Sequence, residues 1–132
     1  MTEKDLFAYR DAKKQLALAR ERLQEFLSNA YSPSAPNLSG AHGGAGDPDK
    51  IGYVAQRHSS LEASLSEAKE RYARVGMLMD RVAALLDDDE QEFFLCRYLL
   101  CLTWEQTKAK MHSSKDRLVR LKHGILDKIK KI

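Results

Sequence analysis

The chain has 132 residues, 43% of them hydrophobic and 31% charged, with a formal net charge of +3. That size and balance admit one or two small domains with a modest core, and the longest apolar runs are far too short for a transmembrane helix. The start, Met1-Thr2-Glu3-Lys4-Asp5, lacks the basic residues and apolar centre of a secretory leader, and Cys96 and Cys101 stand too close together to staple distant parts of a fold, so a cytoplasmic protein with reduced thiols and no membrane contact is expected.

From Thr2 to about Ala30 the apolar positions Leu6, Tyr9, Ala12, Leu16, Ala19, Leu23, Phe26 and Leu27 fall at steps of three and four, which is one face of a helix. Thr2 and Asp5 resemble a capping box with Asp in place of Glu. At 1.5 Å per residue the helix would be roughly 40 Å long. Residues 31–48 then carry prolines, glycines and no periodicity, a composition that favours a disordered linker. Asp47-Pro48 restarts helix as N-cap and first helical residue.

The next stretch, about Asp49–Leu86, has the most regular pattern. Ile51, Val54, His58, Leu61, Leu65, Ala68, Tyr72, Val75, Met79, Val82 and Leu86 recur at heptad-like spacing, as in a coiled-coil seam. The first helix is too short to cover all of it. An uncovered strip at Leu65, Tyr72, Val75 and Met79 would call for a partner, most simply a second copy in a homodimer through Ile51, Val54, His58, Leu61, Leu65, Tyr72, Val75 and Met79.

Asp87-Asp88-Asp89-Glu90-Gln91-Glu92 ends that helix and caps the next, with Asp88 or Asp89 as the expected acceptor. A short aromatic-rich helix at about Asp89–Leu100 holds Phe93, Phe94, Tyr98 and Leu99. Thr103-Trp104-Glu105-Gln106 is a capping box, so a helix is predicted over Trp104–Lys110. Ser114 caps a last helix, Lys115–Lys130, with Leu118, Leu121, Ile125 and Ile129 inward and Lys115, Asp116, Arg117, Arg120 and Lys122 toward solvent. Thr103 to Ile132 contains nine Lys/Arg against three acids, a local balance of +6. Short helix, turn and basic amphipathic helix is the order with which a helix-turn-helix places one helix in a DNA groove. Lys115, Arg117 and Arg120 are expected along one side as the reading residues, with Ser114 and Asp116 at the helix start and Lys110 and Lys122 as flanking phosphate contacts. Trp104 is expected to pack the motif. The expected fold class is all-α: residues 1–86 a long helical hairpin or coiled coil that oligomerises, residues 87–132 a three-helix helix-turn-helix domain.

Arg97-Tyr98, Leu102-Thr103-Trp104-Glu105-Gln106, Ser114-Lys115-Asp116-Arg117-Leu118-Val119-Arg120-Leu121 and Ile125-Leu126-Asp127-Lys128-Ile129 together resemble region 4 of bacterial sigma factors. They resemble still more small phage transcriptional regulators of the late-gene activator type, which carry that module behind a helical N-terminal half. The resemblance covers about a third of the chain. It implies binding of double-stranded promoter or operator DNA, with RNA polymerase as a further partner. Two positions depart from the pattern: Thr107-Lys108 replaces an Ile-Ala pair, and His112 stands where the turn usually has Gly. Lys108 can snorkel, and His tolerates positive φ better than most residues.

Two rival readings stand beside this one. A phage DNA-packaging adaptor of the small terminase kind also joins a helix-turn-helix to an oligomerising part, though in the reverse order; a ring-sized assembly would favour it and a dimer would not. The blander rival is a helical interaction protein whose basic residues form a solvated face. His42, His58, His112 and His123 make no metal-ligand spacing with each other or with the cysteines, and no nucleophile–base pair or carboxylate pair is recoverable. No catalysis, metal or cofactor is therefore expected.

Overall fold

The computed structural model describes residues 1–30 and 48–132, with side chains of the second segment described from residue 51. The Gly/Pro-rich linker and its Asp47 cap lie outside the described residues. All regular structure among the described residues is helical: α1 (Glu3–Ala30), α2 (Pro48–Ala83), α3 (Asp88–Phe94), α4 (Trp104–Met111) and α5 (Lys115–Ile129), with a π-helical turn at Leu95–Leu99 after α3. None of the described helices is long and apolar enough to cross a membrane.

The chain forms two compact units, one of Met1–Lys13 with Tyr72–Ile132 and one of Lys14–Arg71. In the second unit α1 and α2 run antiparallel. Arg71 donates to Gln15 Oε1, and further along the pair the Phe26 and His58 rings lie 6.0 Å apart. Leu16, Ala19 and Leu61 are buried there.

The first unit has one core. Leu6 from α1 joins Met79, Val82 and Leu86 from the α2 end, Phe93 and Phe94 from α3, Tyr98 from the π turn, and Leu118, Ile125 and Ile129 from α5. Tyr98 is its hub: Phe7, Phe94 and Phe93 lie at centroid distances of 5.3, 5.7 and 6.0 Å. Its hydroxyl donates to Glu3 Oε1 at 3.3 Å, and burial, with the Glu3 charge, pushes its pKa well above the ordinary tyrosine range. The hydroxyls of Tyr9 and Tyr72 lie 2.8 Å apart.

This packing corrects the expected uncovered strip. Met79 is only 2% exposed, within the chain's own core, and Val75 packs against that core. Tyr72 is half-buried beside Tyr9, and Leu65 is half-buried as well. Heptad spacing shows that such residues share a stripe; it does not show what covers them. Toward the start of α2, Ile51 is 63% exposed, Val54 and His58 are half-buried, and His58 Nε2 lies 2.9 Å from Glu62.

The third element also differs in detail. Asp87, not Asp88 or Asp89, is the N-cap of α3. Its Oδ1 accepts from the Glu90 N–H at 2.8 Å while Glu90 Oε1 accepts from the Asp87 N–H at 3.1 Å, a reciprocal capping box. The expected continuous helix to Leu100 becomes α3 plus the π turn, closed by the Leu100 N–H on the Leu95 carbonyl at 2.8 Å.

Candidate nucleic-acid interface

The geometry of α4 and α5 follows from their caps. Thr103 is extended (φ −69°, ψ 168°), its Oγ1 accepts from the Gln106 N–H at 3.2 Å, and its own N–H donates to Gln106 Oε1 at 3.0 Å. Both otherwise unpaired donors are satisfied, so α4 starts at Trp104 as the sequence predicts. At the other end His112 is left-handed (φ 50°, ψ 42°). The His112 N–H reaches the Ala109 carbonyl at 3.4 Å, and the Ser113 N–H reaches the Lys108 carbonyl at 3.2 Å. That pair of bonds is a Schellman termination with His in the place glycine usually takes.

Two residues later Ser114 is extended again, and its Oγ accepts from the Arg117 N–H at 3.3 Å, starting α5. Leu118, Ile125 and Ile129 are fully buried and Leu121 packs against the same core. The orientation of α5 relative to α3 is further fixed by Glu90, a buried carboxylate that accepts from Lys128 Nζ. Gly124 permits this approach: a Cβ there would stand 2.5 Å from Glu90 Oε2.

Trp104 packs rather than projecting outward. Its ring lies 5.8 Å from that of Phe93, with the Arg97 guanidinium 5.4 Å and Lys122 Nζ 5.9 Å from its centroid. Arg97 lies over both Phe7 and Trp104, and its Nη1 donates to the Leu102 carbonyl at 2.7 Å.

The expected contact residues separate into groups. Ser114, Lys115, Asp116, Arg120 and, on α4, Lys110 are exposed. Lys122 is half-buried, 3.3 Å from Glu3 and over Trp104, so it helps hold α1 to α5. Arg117 is exposed but occupied: Nη1 donates to Ser113 Oγ at 2.5 Å and Nη2 lies 3.3 Å from Asp89 Oδ2. The expectation that Lys115, Arg117 and Arg120 share one side needs correction. At about 100° per residue Arg117 lies roughly 160° around α5 from Lys115, on the flank toward α3. The face opposite Leu118 and Ile125 carries Asp116, Arg120, His123 and Asp127, all exposed. His123 was legible as the seventh residue after Asp116 but is not among the expected contacts. On α4 and the turn after it a hollow of about 350 Å³ is lined by Glu105, Lys108, Ala109, His112 and Ser113.

No family model, curated protein or solved structure matches this chain. Its function is therefore argued from the arrangement itself. Among the described residues no group of His, Cys, Asp and Glu is placed to hold a metal ion. Cys96 is buried, and that burial raises its thiol pKa.

Proposed function

We propose that the chain binds double-stranded DNA through α5, as a sigma region-4-like transcriptional regulator of phage or prophage type acting at promoter or operator sites. The observation that carries this reading is the α4–α5 pair. Two capped helices are joined through a left-handed residue, the inward side of the second is packed, its outer side offers Asp116 and Arg120 to solvent, and Lys115 is exposed at its first turn. Arginine and lysine at the first turns of such a helix reach base edges and phosphates, while a carboxylate in the same place accepts from a cytosine amino group. RNA polymerase is the protein partner that the sequence resemblance implies.

The test is equilibrium binding of the purified protein to duplex fragments from its own genomic neighbourhood. Phosphate contacts from Lys110 and Lys115, with Arg120 left to read bases, give a log–log salt slope near −1.8 per protomer, at about −0.9 per neutralised phosphate. Absence of salt-dependent retention on any fragment contradicts the reading. Self-association belongs to the same proposal, but its surface moves to Ile51, an exposed apolar residue near the start of α2. Sedimentation should show a dimer that Ile51→Glu dissociates; a monomer at high concentration removes this part and leaves DNA binding standing.

A further inference from the structure

Of the exposed basic residues around the candidate interface, Arg117 is held differently from Lys110, Lys115 and Arg120, while the half-buried Lys122 is tied to Glu3. Among the described residues no ion pair engages Lys110, Lys115 or Arg120. Arg117 instead bridges Ser113 Oγ at 2.5 Å and Asp89 Oδ2 at 3.3 Å. Ser113 is itself buried and donates to the Met111 carbonyl at 3.0 Å, which fixes that end of the clasp to the turn before α5. The other end is loose. The side chains of Arg117 and Asp89 are 44% and 63% exposed, and an ion pair so open to water is weak enough to be exchanged for another anion. Asp89 lies in the first turn of α3, between exposed Asp88 and the buried carboxylate of Glu90. A phosphate approaching Arg117 on this flank of α5 must therefore displace the Asp89 carboxylate.

We propose that Asp89 holds Arg117 off the DNA backbone and so limits the sequence-independent grip of the interface; this rests on the DNA-binding reading above. A guanidinium neutralised by its own carboxylate releases no counterion on binding, whereas a freed one adds one phosphate contact that is paid for by salt, not sequence. Discrimination is then left to Asp116 and Arg120 on the outer face. Ser113 keeps the arm of Arg117 beside the turn in either state, so the device is a change of anion rather than a movement of the helix.

The experiment measures binding of the full chain to a random-sequence duplex by fluorescence anisotropy between 50 and 200 mM salt. Asp89→Asn should bind more tightly than the wild type, with a slope steeper by about 0.9, so that its advantage shrinks about 3.5-fold across that range. Arg117→Gln in the Asp89→Asn background should erase the gain. Asp88→Asn removes the same charge one residue away and should leave the slope unchanged. Thermal midpoints by circular dichroism check that each variant is folded, and if Arg117→Gln fails to fold the two single aspartate variants decide. An unchanged slope in Asp89→Asn, or an equal change in Asp88→Asn, overturns this inference alone. No binding by the wild type or Asp89→Asn overturns the DNA-binding reading and this inference with it.

Discussion

Thr107 sits where an apolar residue is expected, and the structure makes that departure measurable. It is 0% exposed, and its Oγ1 has no hydrogen-bond partner among the described residues. A buried hydroxyl without a partner costs about 1–3 kcal/mol. Valine has nearly the same shape and a similar helix propensity, so Thr107→Val removes the orphaned group without opening a cavity. The expected gain is about 1–2 kcal/mol, or roughly 4–16 °C in thermal midpoint for a unit of this size. Thr107→Ser keeps the hydroxyl and loses a methyl, and should cost about 1 kcal/mol. Urea and thermal unfolding of the three proteins, followed by circular dichroism, measure the series. A valine variant no more stable than the wild type would refute the reasoning, because it would mean that the hydroxyl is satisfied in solution.

The left-handed His112 (φ 50°) should be stabilised by glycine: His112→Gly is expected to gain about 0.5–1 kcal/mol and His112→Val to lose at least as much, read from the same unfolding curves. Gly124→Ala should fail to deliver the usual gain of about 1 kcal/mol, because the new Cβ meets the Glu90 carboxylate at 2.5 Å; in a Glu90→Ala background the gain should return, and equal effects in both backgrounds would remove the steric explanation. The Tyr72 hydroxyl, followed by burial, pushes the Tyr9 pKa up to about 12. A raised pKa favours the neutral form in the fold, so this contribution to stability is complete below pH 10 and lost as pH climbs toward 12. Tyrosinate absorbance should show late titration, and Tyr9→Phe should remove one tyrosine from it while the still later titration of the buried Tyr98 remains.

The elements were legible because their signals are local. The Thr103–Gln106 capping box, Ser114, and the inward spacing of Leu118, Ile125 and Ile129 each depend on residues within one or two turns. Partners were less legible. The steps from Leu6 to Phe26 identify a face but not that Phe7 would meet Tyr98 or Glu3 meet Lys122, contacts that span most of the chain. In the acidic run three successive aspartates, Asp87, Asp88 and Asp89, can cap, so sequence alone does not select Asp87. The π turn at Leu95–Leu99 has no residue pattern of its own to distinguish it from α-helix. Arg117 illustrates the remaining gap. Its spacing allows a place beside Arg120, but its role depends on Asp89, which belongs to another helix.

The most direct test of the central claim is the sequence preference of wild type and Asp116→Ala, measured by selection from randomised duplexes. A carboxylate at the start of a DNA-reading helix is repelled by phosphates and is favourable only where it accepts from a cytosine amino group. The account predicts that Asp116→Ala relaxes or alters preference at one position, a change worth about 1–3 kcal/mol of discrimination, with the remaining positions unchanged. Uniformly tighter binding to all sequences, with the preference profile intact, would contradict base reading by α5.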